Sequence, residues 1–388
     1  MNSPQPDSLT PKDRRALLDT VQRFATQAIA PHVSAWDEAG EFPRALYTQA
    51  ADLGLLGLGY PEHLGGTPAP WAVRNAVSQA LARHGGSGGV MAGLFSHNIG
   101  LPPVLAHGTA AQQAQIVPPV LRGERIAALG ITEPGGGSDV ASLRTTARLD
   151  GGDYVIDGEK VFITSGMRCD WITLAVRTDA RSKGASGLSM IVVPCDAKGL
   201  SRTPLQKMGW LCSDTAHLRF DGLRVPARYR LGEEGAGFRM VMGNFNGERL
   251  ALAAMALGFA EACYDEALAW ARQRQTFGAP LIERQVIRHR LMDMRMRIAS
   301  TLAWVDAVGA WADAGDTGPE WVAQVCLLKN HATQAMQFCA DAAVQILGGM
   351  GFMRGTVSER LYREVKVLMI GGGAEEIMKE LAARQLGL

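Results

Sequence analysis

"YVIDGEKVFITS", residues 154–165, is where the hydrophobic pattern of this 388-residue chain changes period. Partial alternation and β-branched and aromatic residues predict a strand. "DGGD" (150–153) just before it supplies the glycines of a tight hairpin. "WITLAV" (171–176), "LSMIVVP" (188–194) and "AHLRFDGLRVP" (216–226) read as further strands separated by turn residues. No helix-length segment lies between them, so the block from about 123 to 235 is predicted to be a small antiparallel β domain.

Working outward, both flanks are helical. Toward the N-terminus, Leu17, Val21, Phe24 and Ala28 recur at helical spacing. "DEAGEFP" and "YPEHLGGTPAPW" interrupt the helices of residues 1–122. Toward the C-terminus (236–388), "ERLALAAMALGFAEACYDEALAWARQR" (248–274), "ERQVIRHRLMDMRMRIASTLAWVDAVGAWADA" (283–314) and "EWVAQVCLLKNHATQAMQFCADAAVQIL" (320–347) are three long breaker-poor stretches. They predict a C-terminal antiparallel bundle resembling a four-helix bundle. The fold class is therefore α+β, mostly α, in three domains.

Composition narrows the function classes. The formal charge is +1, with 47% hydrophobic and 20% charged residues. No basic field argues for nucleic acid, and no apolar run reaches the roughly 18 residues of a membrane span. The start, "MNSPQPDSLTPKDRRALLDT", has no secretory core and carries acids that a mitochondrial presequence avoids. A cytoplasmic bacterial protein is the simplest reading. Six scattered cysteines without a CxxC pair and eight dispersed histidines predict neither a disulfide framework nor a metal site. A P-loop and a dinucleotide fingerprint within a βαβ unit are both missing.

"ALGITEPGGGSDVAS" (128–142) is the segment that carries chemistry. A strand ending at Thr132 runs into a glycine-rich turn with Ser138 and Asp139. Such a turn offers amides and hydroxyls to a planar polar ring or a phosphate. On local physics alone the favoured reading is a β-turn with an Asx-type stabiliser.

"GITEPGGGSDVAS" resembles the first signature of the acyl-CoA dehydrogenase flavoproteins, and the likeness covers nearly the whole chain. "LGLLGLGYPEHLGG", "GEKVFITSG", "LQKMGWLCSDTAHLRFDGLRVP", "RQRQTFG", "QILGGMGF" and "IGGGAEEIMKELAARQ" resemble further family segments in the same order. The resemblance implies one FAD per subunit, an acyl-CoA substrate, electron-transferring flavoprotein as acceptor and a homotetramer. It places Leu129, Ile131, Thr132, Gly137 and Ser138 along the flavin or the start of the substrate. It implies that Phe162 flanks the ring, standing where many relatives carry tryptophan, and that the Thr164 hydroxyl bonds the flavin near its hydride-accepting nitrogen. Arg274, Thr276 and Phe277 are implied to reach a neighbouring subunit's FAD, with Gln285, Gln345, Ile346, Gly348 and Gly349 as further cofactor contacts. Backbone from Ala374 to Glu376 is implied near the flavin. A guanidinium at 274 suits a pyrophosphate, and equally suits a helix C-terminus.

The reaction implied, α,β-desaturation of an acyl thioester, needs a base for the α-proton. In many relatives that base is a glutamate at the position matching Gly372, which has no side chain. Glu375 and Glu376 follow three and four places later, where a helix N-terminus stabilises their charge. The isovaleryl and long-chain branches instead place the glutamate before an Arg-Leu pair, and "NGERLALA" carries Glu248 and Arg249 there. The reading assigns Glu248 as base, in the first turn of its helix, with Ser138, Asn246, Arg249, Gly372 and Gly373 at the substrate. The Gly372 amide is assigned to the thioester oxygen. A missing side chain at 372 is expected to leave room near the α and β carbons, suiting a long or branched acyl group. "MAGLFSHNIGLPPV" (91–104) is expected to line the tail pocket. An oxygen-using oxidase or monooxygenase, and an inactive flavin- or acyl-binding protein, are the competing readings.

Overall fold

The computed structural model describes residues 10–182 and 184–388. Its N-terminal third is a set of helices, the main ones being Pro11–Phe24, Trp71–Gly85 and Ala110–Leu121. Pro11 occupies the first helical position and the Thr10 hydroxyl accepts from the Asp13 amide at 3.2 Å, which satisfies an otherwise orphaned donor. Val21 and Phe24 of the predicted stripe are buried, with Leu17 and Ala28 packed at its margin. A reciprocal Thr109–Gln112 capping box starts the Ala110–Leu121 helix.

The chain then forms eight strands: β1 (Ala127–Gly130), β2 (Thr146–Asp150), β3 (Asp153–Thr164), β4 (Trp171–Arg177), β5 (Leu188–Pro194), β6 (Leu200–Pro204), β7 (Thr215–Pro226) and β8 (Arg230–Leu231). They are ordered β6-β7-β3-β2-β4-β5-β8, with β1 beside β4. Most neighbours are antiparallel, as expected, but β1 runs parallel to β4 from Ala127–Trp171 to Gly130–Leu174. Thr146 of β2 also meets Arg177 of β4 in parallel. The β2–β3 hairpin lies between β1 and β4 in sequence, and supplies the long return that a parallel pair requires. β3 departs from regular pairing with β7 between Lys160 and Ile163. Phe162 and Ser165 there have φ of 62° and 60°, conformations that side chains rarely adopt.

The C-terminal part is helical again: Gly237–Gln273, Gln285–Asp313, Pro319–Leu347, Val357–Ile370 and Glu375–Gln385. The 37-residue Gly237–Gln273 helix is central, packing on the Pro319–Leu347, Gln285–Asp313, Val357–Ile370 and Trp71–Gly85 helices. Small residues permit that approach: a Cβ at Gly258 would sit 2.2 Å from the Gln79 carbonyl oxygen. Phe259, fully buried beside it, contributes on the order of 2–3 kcal/mol by leaving water. This helix starts eleven residues before the apolar run from Glu248. Gly243, Asn244, Asn246 and Gly247 are poor helix formers, so tertiary packing of Met240 and Val241 overrides local propensity. Among the described residues no helix is long and apolar enough to cross a membrane.

Candidate active site

The early start of the central helix moves Glu248 out of the first turn, where the sequence reading put it, to about three turns inside. A helix dipole fades within its first turn, so simple dipole neutralisation does not account for a carboxylate here. The Glu248 Oε2 is shielded from solvent and, among the described residues, has no hydrogen-bond partner. Burial pushes its pKa up to about 7, against the lowering pull of Arg249 and Lys329. A carboxyl that ionises near neutrality is matched to proton abstraction. In the free enzyme kcat/KM is therefore expected to rise with pH along an acid limb centred near 7. A pH–rate profile checks this, and a limb at the ordinary carboxylate value near 4 would remove Glu248 from the base role.

Facing Glu248 is the loop between the last two helices. Gly372 and Gly373 have φ of 67° and 117°. A Cβ at Gly372 would lie 2.9 Å from Leu252 Cδ1 and 3.8 Å from Glu248 Oε1. The expected free room at 372 is thus already closed by Leu252, one turn beyond Glu248. The missing side chain brings the loop backbone close to the carboxyl instead of opening a cavity. Gly372→Ala should cost about 1–2 kcal/mol from the left-handed φ alone, plus any shift of Leu252, read as a lower denaturation midpoint.

Arg249, buried beside Glu248, has a partner that sequence alone did not reveal: its Nε donates to the Gly372 carbonyl at 2.9 Å. Its Nη1 donates to Asn246 Oδ1 at 3.0 Å, so Asn246, Glu248, Arg249 and Gly372 are one cluster. Glu375 and Glu376 lie in the first turn of Glu375–Gln385, as expected, and Glu375 Oε1 accepts from Gln334 Nε2. Two neighbours of the loop were missed. Lys329 Nζ donates to the carbonyls of Met369 (3.0 Å) and Gly373 (2.8 Å), and Asn330 Nδ2 donates to that of Glu375 (3.0 Å). The available signal was a lysine directly after the apolar run "VCLL" (325–328), which reads as a surface cation until its burial is seen.

A second patch gathers Leu129, Ile131, Thr132, Gly137, Phe162 and Thr164. The Val161 amide donates to the Thr132 carbonyl, and buried Lys160 donates to the Ile131 carbonyl and to Glu133 Oε1. A Cβ at Gly137 would meet Thr132 Cγ2 at 3.2 Å, so the glycine-rich turn folds back on this strand end. Ser138 stands exposed on that turn, and the Ser142 hydroxyl donates to the Asp139 side chain, which among the described residues accepts no backbone amide, so the expected Asx-type turn is not formed. Phe162 is 69% exposed on its bulge. An aromatic side chain held in a strained conformation and left open fits the face of a planar ring such as a flavin.

Arg274, Thr276, Phe277 and Gln285 surround the Gln275–Thr276/Ala279–Pro280 hairpin. Arg284 donates from Nη2 to the Thr276 carbonyl, and Phe277 is 99% exposed with φ 49°. Arg274 caps the central helix, so the macrodipole account of this cation also fits. Gln345, Gly348 and Gly349 are exposed and Ile346 is buried at the end of Pro319–Leu347, where Gly348 is left-handed. Among the described residues no hydrogen bond joins these segments to the Leu129–Thr164 patch.

The three-part architecture has close counterparts. The N-terminal, middle and C-terminal domain families of acyl-CoA dehydrogenase match residues 11–124, 128–223 and 235–387. Cyclohexane-1-carbonyl-CoA dehydrogenase of Geobacter metallireducens is 34% identical over 97% of this chain and 98% of its own length. The mitochondrial isovaleryl-CoA dehydrogenase of Oryza sativa is 34% identical over 95% and 90%. A solved structure of a probable acyl-CoA dehydrogenase from Mycobacterium abscessus superposes with a TM-score of 0.94 at 44% identity, covering 98% of this chain and all of the other. The chain belongs to the acyl-CoA dehydrogenase family and is an enzyme of that family, with FAD as its cofactor.

Proposed function

We propose that this enzyme converts an acyl-CoA thioester to the trans-2-enoyl-CoA, with Glu248 as the base that takes the α-proton. The observation that carries this reading is the enclosed carboxyl of Glu248, its Oε2 unpartnered among the described residues and its Oε1 on the side of Gly372. A buried carboxyl without a hydrogen bond costs stability, and a catalytic task explains why it is tolerated. Bound FAD would supply the hydride-accepting centre for the β-hydrogen. The Gly372 amide donates to the thioester oxygen, where negative charge grows as the α-proton leaves. Arg249 fixes the Gly372 carbonyl and hence the direction of that peptide group. Phe162, Thr164, Leu129, Ile131, Thr132, Gly137 and Ser138 hold the flavin ring side. Arg274, Thr276, Phe277, Gln285, Gln345, Ile346, Gly348, Gly349, Ala374 and Glu376 supply the remaining contacts across a homotetramer. Electron-transferring flavoprotein is the acceptor.

The acyl chain runs past residues 91–104. Asn244, one turn before Glu248, donates to the Ile99 carbonyl at 3.0 Å, which ties that stretch to the base. His97 in it is buried, bonded from Nε2 to the Leu56 carbonyl, and burial lowers its pKa to about 4. It is a structural histidine that offers no cation to a second carboxylate, which favours a monocarboxylic, long or branched acyl group. Anaerobic mixing of the purified holoenzyme with straight, branched and cyclic acyl-CoAs tests the reading through bleaching of the flavin absorbance. No bleaching with any thioester would sink it. Rapid oxygen consumption with peroxide release would move the acceptor from electron-transferring flavoprotein to oxygen.

A further inference from the structure

The loop opposite Glu248 has an unusual division of its polar groups. The carbonyls of Met369, Gly372, Gly373 and Glu375 are each taken by a side chain from another helix: Lys329, Arg249, Lys329 and Asn330. The Ala374 carbonyl accepts from the Met378 amide. Among the described residues, the amides of Gly372 and Gly373 donate to nothing within the chain. A turn whose Gly372, Gly373 and Ala374 carbonyls are occupied and whose Gly372 and Gly373 amides are free is suited to receive an oxygen with negative character. Lys329 makes the largest contribution to that division, because one ammonium spans the carbonyls on both sides of Gly372.

Resting on the thioester reading above, we infer that Lys329 is a positioning residue: by bridging the Met369 and Gly373 carbonyls it sets the Gly372 peptide so that its amide meets the thioester oxygen. Lys329 is fully buried in the Pro319–Leu347 helix. A lysine so placed loses its hydration and its side-chain freedom, and two carbonyl bonds offset that only in part. What it secures is the fixed geometry of a loop with two left-handed glycines, which has no side chain of its own to hold it. The same ammonium also sees Glu375, Arg249, Glu248 and Cys326, and burial lowers its pKa to about 8. Its charge assists ionisation of Glu248, a second link between this residue and the proton transfer.

The test compares Lys329→Met, Lys329→Gln and Lys329→Arg holoenzymes with wild type. Met removes donors and charge at similar volume, and Arg keeps both. For Met, kcat should fall on the order of 10- to 100-fold with far less change in KM, as expected when a donor is misaimed and not removed. The acid limb of kcat/KM should move to higher pH in Met and Gln, where the cation facing Glu248 is gone, and stay in Arg. Amide hydrogen exchange of a peptide spanning 369–376 should quicken in Met and Gln, while exchange of the 330–347 helix stays protected. If Met and Gln retain wild-type kcat, limb position and loop exchange while wild type bleaches with a thioester, the inference falls and the substrate reading stands. If Met and Gln fail to fold, Arg decides: wild-type exchange with restored kcat supports the bridge, and fast exchange with kcat at the wild-type level overturns it. If wild type bleaches with no thioester, the substrate reading falls and takes this assignment with it, whatever the exchange reports.

Discussion

Glu248→Gln is expected to slow flavin reduction by acyl-CoA about 10³-fold or more while leaving FAD bound and the fold intact. The substitution keeps size and replaces the proton-accepting oxygen by an amide, and base catalysis of this kind contributes typically 10²–10⁴-fold. The environment makes the expectation sharper. Glu248 Oε2 has no partner that an amide would lose, so Gln should pack without strain. The sign of the stability change also follows. A carboxyl raised to about 7 favours the folded state when protonated; that contribution is complete below its unfolded value near 4.3 and is lost as pH rises through 7. At pH 8 wild type therefore carries an unfavourable buried charge that Glu248→Gln lacks. The variant should be at least as stable there, measured by denaturant midpoint. A variant that reduces flavin at the wild-type rate would place the base elsewhere, and one that loses FAD would make Glu248 a structural residue.

Glu248 was legible only because a resemblance pointed to "ERL" once Gly372 had no carboxylate to offer. Local sequence gave the wrong position in the helix, since glycines and asparagines from 243 to 247 hide a start that buried Gly237, Met240 and Val241 dictate. The same limit explains Lys329 and Arg249. Their partners are backbone carbonyls 40 to 123 residues away, and no side-chain pattern records a carbonyl. Periodicity served better where packing and period coincide: Val21 and Phe24 face the core, and the change of period at 154–165 marks β3. It failed on strand direction, because the parallel β1–β4 pairing depends on where the chain returns and not on alternation.

The largest stability effect is expected from Lys160→Met, at about 3–5 kcal/mol. Lys160 Nζ is fully buried under the strand end that carries Ile131 and Thr132, 2.8 Å from Glu133 Oε1. Glu133 in turn accepts from the Arg144 and Thr145 amides at 2.7 and 2.8 Å, so this one carboxylate closes both ends of the glycine-rich segment. Removing the ammonium leaves a buried negative charge held by two amides and frees the Ile131 carbonyl. The damage should concentrate on the segment holding Thr132, Gly137 and Ser138, so FAD affinity should fall together with the urea midpoint. Burial raises the Glu133 pKa, but the Lys160 charge and the hydrogen bonds outweigh it and hold the carboxyl below its usual range. That stabilisation is present above the unfolded value near 4.3 and is lost as pH falls through the lower folded value. The deficit of Lys160→Met relative to wild type should therefore shrink in acid. The double variant Lys160→Met with Glu133→Gln should recover part of the loss, because a neutral pair leaves no unpaired charge. A single variant within about 0.5 kcal/mol of wild type with unchanged FAD affinity would mean the pair is incidental. A single variant as impaired as the double would mean the loss comes from packing, not charge.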